Sequence, residues 1–470
     1  VITRETYSVK HIANGVGRIY IKNSKILRQN GYVAGAQFSI TERKHALKLT
    51  LCNDGTKSVN KTNRGELVEI RSKMVGAVLN GVSKVNVTFK QGIIYIEVAL
   101  VELKRMIREA ALIKSLLNEI PLRFASIFSG IGTLSYQIKK GLQSQLIESE
   151  IALSIDSDTL AMNIQIEGNP IWNTPTEDAQ AYGVDIRDID VDQLKSVHVA
   201  EVGYPCVGQS TLCPASRRDL DHPEAGTLFI PLIGIIKKLN PALIILENSV
   251  PFIKSQTLSL MEREFDFLGY RLQTTKINGY DNGDFEERRR ACAVLISKGL
   301  PELPLDQFYP PSDIERSTFN SIRDDIADNS DKWSLMEHVT KKSNDTRLNF
   351  KHNLLIGDED KVATLTAGYA SPRIGSPMVA HDNYEENGLQ RLISNLEHSR
   401  IRGIPDQLWR VLEKVGAGNH SLVSKRGNTS HVHRMLGNGV SPKAWFNLSA
   451  FIGGYLRNLA YKESLMSKFR

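Results

Sequence analysis

Apolar and polar residues alternate along much of the first hundred positions, in "RIYIKN" (18–23), "HALKLTL" (45–51), "KVNVTF" (84–89) and "GIIYIEVAL" (92–100). A period of two is the mark of a half-buried strand. "GAQFSI" follows a glycine-rich turn, Asn53-Asp54-Gly55 supplies turn residues, and Lys90-Gln91-Gly92 sits between two alternating runs as a hairpin would. A small β-rich domain is expected over 1–103. "KRMIREAALIKSLLNEI" changes to helical spacing, with Met106, Ala110, Leu112 or Ile113, and Leu117 near one face, and predicts a linker helix over 104–121. From residue 122 apolar runs alternate with helical patterns, the texture of a doubly wound α/β sheet. "RFASIFSGIGTLSYQIKKG" reads as a strand, a glycine turn and a helix, and "ALSIDSD" as a second strand ending in acids. The pattern breaks at "PELPLDQFYPPSD", so 122–299 is expected as one domain, 300–432 as a smaller one, and 433–470 as a segment returning to the first.

A chain of 470 residues exceeds one ordinary core, which agrees with this division. No apolar run approaches the roughly 18 residues of a membrane span, and the first ten residues lack the apolar stretch of a secretory signal. A cytoplasmic protein is expected. The cysteines, Cys52, Cys206, Cys213 and Cys292, show neither a paired zinc spacing nor disulfide density, so reduced thiols are the default. Charge matters once it is located. Residues 1–120 hold 20 Lys and Arg against 9 Asp and Glu, whereas 121–470 hold 39 against 43. A basic N-terminal segment attracts a polyanion, most often nucleic acid, although lysine-rich solvated faces are common.

Candidate chemistry begins in the α/β region. Gly130 and Gly132, after the first strand, let the backbone approach a ligand, and the helix that follows offers its N-terminus to an anionic group such as a carboxylate. Asp156 ends the second strand, where an acid typically binds ribose hydroxyls, while Asp158 beside it suits a helix cap equally well. "GYPCVGQS" (203–210) puts Cys206 directly after a proline, either as a packed thiol or as a nucleophile on a strand-end loop. Its company decides. FSGIG, a strand-end Asp, Gly-x-Pro-Cys, Glu-Asn in "LNPALIILENSVPFI" and Arg-x-Arg in "DNGDFEERRRACAVLIS" occur in this order. "RLISNLEHSRIRGIPDQ" and "RMLGNGVSPKAWFNLSAFIGGYL" follow. The set resembles the DNA cytosine-5 methyltransferase family over about 122–300 and 361–456. "RIYIKNSKILRQNGYVAGAQFSI" is similar to the swapped-hairpin modules of transition-state regulators and toxin–antitoxin proteins, which dimerise and bind DNA.

The first resemblance implies a Rossmann-like methyltransferase domain with a target-recognition domain. S-adenosylmethionine would be the cofactor, S-adenosylhomocysteine the product, and double-stranded DNA with a flipped cytosine the substrate, with no metal and no membrane. It implies Cys206 as nucleophile, Glu247 at the ring's N3 edge, and Arg288 and Arg290 orienting the base and holding Cys206 anionic. Cofactor contacts would come from Phe128, Ser129, Gly130, Gly132, Asp156, Asp185, Pro205 and Asn438. Gln209, Ser210, Thr364, Thr366, Tyr369 and Arg373 would reach DNA. The second resemblance implies a DNA-binding or homodimerising N-terminal module. Several positions depart from the family pattern: Val184, Val207, Gln209, Ser249 and Glu286. A weakly active DNA-binding regulator and an RNA cytosine-5 methyltransferase are the alternatives.

Overall fold

The computed structural model describes residues 2–210, 213–343, 345–348, 352–371, 373, 375–426 and 428–468. The chain forms two compact units, Val1–Ile107 with Phe267–Gly269, and Arg108–Asp266 with Tyr270–Arg470.

The first unit is built on strands β1 (Thr3–Ile12), β2 (Val16–Ile21), β3 (Gln37–Arg43), β4 (Ala46–Leu51), β5 (Lys57–Ser58), β6 (Asn60–Thr62), β7 (Gly65–Ser72), β8 (Lys84–Lys90) and β9 (Ile93–Val98), with short helices α1 (Ser24–Gln29) and α2 (Lys73–Val78). The order is β5-β3-β4-β9-β8-β1-β2-β7-β6. The alternating residues bury one side, with Ile19, Ile21, Leu47, Leu49, Val85, Val87, Ile94 and Ile96 all within its core. The sequence reading missed that this unit is a tandem repeat. β2-α1-β3-β4 and β7-α2-β8-β9 have the same layout, each helix capped by a side chain, Asn23 or Ser72, and followed by Asn-Gly with the glycine at positive φ. Each hairpin has the same register, Thr41 opposite Lys48 and Thr88 opposite Tyr95.

α3 (Leu100–Leu117) begins and ends four residues before the expected 104–121. Its buried residues are Arg108, Leu112 and Ser115, whereas Leu117 is exposed. Of the predicted face, Leu112 is buried and Met106 and Ile113 pack against the cores, while Ala110 is exposed like Leu117; the helix also buries the guanidinium of Arg108, which donates to Ser297 at 2.8 Å and stacks 3.8 Å from the Tyr270 ring.

In the second unit, β10 (Leu122–Ile127), α4 (Thr133–Gln143), β11 (Ser149–Ile155), α5 (Thr159–Gly168), β12 (Pro175–Tyr182), β13 (Val199–Gly203), α6 (Phe229–Leu239), β14 (Leu243–Asn248), α7 (Gln256–Phe267), β15 (Tyr270–Asn278), β16 (Glu286–Glu287) and β17 (Arg289–Ser297) run in sequence. Seven of the strands make one sheet, ordered β12-β11-β10-β13-β14-β17-β15. β10 to β14 pair in parallel and β17 runs antiparallel. The strand order reverses between β10 and β13, so a crevice opens beyond their carboxyl ends, where ligands bind in such sheets. The near-continuous apolar runs are those of strands covered on both faces.

The remaining chain is irregular, with short strands and the helices α8 (Glu337–Ser343), α9 (Tyr384–Asn387), α10 (Asn395–Ile401), α11 (Asp406–Gly416) and α12 (Thr429–Asn438), and it ends in α13 (Pro442–Lys468). α13 returns to α4: Trp445, Leu448 and Ile452 join Ile138 and Leu142 in the main core, and a Cβ on Gly141 would lie 2.4 Å from Ser449 Cβ. No helix among the described residues is long and apolar enough to cross a membrane.

Candidate active site

The first loop of the crevice is Phe128–Gly132. Phe128, Gly130 and Gly132 all have positive φ, 56°, 53° and 75°, which costs the glycines nothing and strains Phe128. A Cβ on Gly130 would meet nothing within 4 Å, and no side chain caps the N-terminus of α4 at Gly132. Open space therefore lies beside backbone N–H groups at a helix start. Asp156 Oδ2 accepts from Gly130 N at 2.7 Å and Oδ1 from Asp158 N at 2.8 Å, so this strand-end acid also shapes the loop. Burial pushes its carboxyl up, partly offset by those two donors. Asp158 caps α5 through Ala161 N and pairs with Arg434 at 2.9 Å. Asp185 is occupied at Arg187, accepting from its backbone N–H and pairing with its guanidinium at 3.0 Å. Asn438 is the exposed last residue of α12. Its neighbours are held closely: a Cβ on Gly437 would lie 2.4 Å from the Thr366 carbonyl carbon, and one on Gly439 would lie 3.2 Å from Thr133 Oγ1. The last glycine turn thus lies over the start of α4.

The second loop follows β13. Gly203 lets the chain pass Phe128, whose carbonyl oxygen would sit 2.8 Å from an added Cβ. Tyr204 is buried, donates to Ala225 O at 3.1 Å, and stacks with Phe252 at 5.7 Å. Asn248, fully buried at the end of β14, donates to Tyr204 O at 3.2 Å and so braces the backbone just before Pro205-Cys206. Cys206 opens a helical turn in which its carbonyl accepts from Gln209 N and Ser210 N at 2.9 Å.

Glu247 stands opposite Gly203 on β14, and Arg290 Nε meets Glu247 Oε1 at 3.0 Å. Burial pushes the Cys206 thiol up, and the Glu247 carboxylate pushes it further; Arg290 and then Arg288 act in the opposite direction. Arg288 and Arg290 thus act in the expected direction, toward the anionic sulfur. The two guanidiniums offset burial without overcoming it.

Three other expectations are corrected by packing. Arg288 is buried and donates to Leu365 O at 3.2 Å and Gly437 O at 3.0 Å, so its planar group clasps backbone and reaches Cys206 only through charge. Gln209 is buried and donates to Asp219 at 3.2 Å, facing away from solvent and therefore from any duplex. Tyr369 is a core residue, donating to Pro377 O at 2.6 Å and accepting from Ile393 N at 2.8 Å. Ser210 is half-buried, and Thr364 donates to Glu287 O at 2.8 Å. Thr366 and Arg373 are exposed. Two residues the sequence reading passed over complete the Arg288 clasp. Glu286 and Arg402 form a buried bidentate pair, and both bind Leu365, Glu286 through its N–H at 2.7 Å and Arg402 through its carbonyl at 2.9 Å. Glu286, noted only as a departure from pattern, is the partner that Arg402 requires.

Cys206, Glu247 and Arg290 thus stand together at the ends of β13, β14 and β17, beside a glycine loop at a helix start. A family model for C-5 cytosine-specific DNA methylase matches residues 122–452. The chain belongs to this family. Type II methyltransferase M.FnuDI of Fusobacterium nucleatum is 26% identical over 214 residues, 44% of this chain and 57% of that protein. M.Sau96I of Staphylococcus aureus is 27% identical over 197 residues, 39% of this chain and 42% of its own. The chain spans about half the length of the curated relatives it matches. Among solved structures, the S. pombe Dnmt2 methyltransferase superposes with a TM-score of 0.52 at 18% identity, over 72% of this chain and 99% of that one, which shows the shared methyltransferase fold. The methylase match begins at β10 and leaves out residues 1–121.

Proposed function

We propose that the protein methylates carbon 5 of cytosine in DNA with S-adenosylmethionine, through a covalent Cys206 adduct on a flipped base. The observation that carries this reading is the grouping of Cys206, Glu247 and Arg290 beside the Phe128–Gly132 loop. The residues present fit the cofactor: open space at Gly130 and uncapped N–H groups at α4 suit its carboxylate, and Asp156 and Asp185 stand at the ends of β11 and β12 for its ribose and adenine. When bound, S-adenosylmethionine supplies an electrophilic methyl group.

The chain's own residues prepare the acceptor. The Cys206 thiolate forms a bond to carbon 6, and the electron pair released makes carbon 5 nucleophilic. Glu247 accepts from the exocyclic amine through one oxygen and delivers a proton from the other to N3, where negative charge develops, and Arg290 holds Glu247 in place. After methylation, loss of the carbon-5 proton drives the electron pair back, the carbon 6–sulfur bond breaks, and Cys206 is restored. Asn248 fixes the loop that presents the sulfur. Flipping is required because a stacked base hides carbon 6.

The test uses tritiated S-adenosylmethionine and duplex DNA carrying 5-fluorocytosine, in which fluorine blocks the final elimination. A labelled covalent complex that disappears in Cys206→Ser supports the mechanism. No complex and no methylation of mixed-sequence DNA, with binding intact, overturns it in favour of a DNA-binding regulator. Label entering transfer RNA instead of DNA would replace the substrate.

A further inference from the structure

One buried acid beneath the candidate site takes no part in the chemistry proposed above. Glu201 lies on β13 and is 1% exposed. Its Oε1 accepts from Ser126, near the end of β10, and from Ser135 of α4 at 2.6 Å, and the two hydroxyls are themselves 2.9 Å apart. Oε2 is shut off from solvent and has no partner among the described residues. A buried carboxylate oxygen that nothing donates to is costly, so the proton of the neutral form belongs there.

Sheet register gives this acid its neighbours. Ser126 stands opposite Glu201 across β10 and β13, Ile245 opposite it across β14, and Gly203 opposite Glu247. Glu201 and Glu247 therefore project from one face of the sheet, two residues along and one strand across, about 8 Å apart at the backbone. Gly203, between them, adds no side chain. Ser135 is the third residue of α4, so the same acid sits beneath the helix start that suits the cofactor carboxylate. β10 and α4 thus present hydroxyls to Glu201, and β14 presents Glu247, which Arg290 of β17 pairs at 3.0 Å. Cys292 stands opposite Glu247 on β17, and Cys206 follows Glu201 beyond the end of β13. Burial pushes Glu201 up to about 7, against the two serines and with Glu247, so its charge changes near neutral pH.

We propose that the negative charge of Glu201 makes the cofactor pocket prefer the sulfonium of S-adenosylmethionine over the neutral sulfur of S-adenosylhomocysteine, an inference that rests on the cofactor reading above. The two ligands share their carboxylate, amine and nucleoside, and differ by the methyl group and the charge it carries. That methyl must reach a base held by Cys206 and Glu247, which brings the sulfur to the end of the crevice over Glu201. At an effective dielectric constant of about 20, a unit charge about 10 Å away changes an affinity roughly tenfold. By reciprocity, the substrate drives the Oε2 proton into solvent and the product lets it return. Methyl transfer thereby loosens the pocket's hold on what remains.

The test measures both dissociation constants by calorimetry on the full-length protein between about pH 6 and pH 8, on either side of the Glu201 midpoint. The ratio of the product's constant to the substrate's should rise about tenfold more in wild type than in Glu201→Gln. The ligands' own amines titrate alike against both proteins, so the excess belongs to residue 201. Ser135→Ala removes a donor that favours the carboxylate and should move the midpoint of the excess to higher pH, which a merely structural role would not do. Cooperative thermal melting confirms that both variants fold. An equal change in wild type and Glu201→Gln, or a midpoint unmoved by Ser135→Ala, with both ligands bound, would overturn this inference alone. Failure of both ligands to bind would overturn the cofactor reading and the inference with it.

Discussion

At the residue scale, burial keeps Asp156, Glu201 and Cys206 of the candidate site from ionising freely. Glu201, on β13 beneath the glycine loop, accepts from Ser126 and from Ser135 at 2.6 Å, and its Oε2 has no partner. Burial pushes it up to about 7, the two serines acting against that and Glu247 with it. A carboxyl raised on folding favours the folded state below its unfolded pKa, and that contribution is lost as pH rises through the folded one. Wild-type stability should therefore fall between pH 4.5 and 7, by roughly 3 kcal/mol from this group. Glu201→Gln should flatten that fall in urea titrations across pH. For Cys206, Arg290→Gln removes the leading cationic offset. Single-turnover methyl transfer should then require a higher pH, its ascending limb moving to more alkaline pH. A uniformly lower rate with an unmoved limb would assign Arg290 to holding Glu247 alone.

At the element scale, the buried Glu286–Arg402 pair fastens β16 to the chain at Leu365 and Leu436, with Arg288 alongside. Arg402→Ala leaves the Glu286 carboxylate buried without its cation and should cost about 3–5 kcal/mol. Glu286→Gln with Arg402→Met should recover most of it, as equilibrium unfolding would record. That clasp was not legible in the sequence, because its members stand 116 residues apart and neither breaks a local pattern. The strand-end positions of Asp156, Cys206 and Glu247 were legible, since apolar runs, turn glycines and a proline punctuate the chain on both sides of them. Gln209 and Tyr369 were misread for a single reason: a polar tip in a loop sequence says nothing about whether its partner is water or a group of the protein, here the Asp219 carboxylate and the Pro377 carbonyl. The burial of Arg108 on α3 was missed, because its charge marked it as outward although an aromatic ring and hydroxyl receive it.

At the scale of the molecule, the larger unit should respond to cofactor as a whole. S-adenosylhomocysteine at a hundred times its dissociation constant should stabilise it by about 2.7 kcal/mol. Gly130→Val, which fills the open space and strains a positive φ, should abolish that increment in thermal melting. The sheet of this unit was foreseen from texture, but the duplication in the smaller one was not, because its halves share spacing and caps while their side chains have diverged. That divergence has a consequence for how the tandem can change. Two copies of a single polypeptide must present identical halves, and every substitution appears twice. Here Lys48 faces Tyr95 where a homodimer would place a residue against itself, so each half is free to mutate alone.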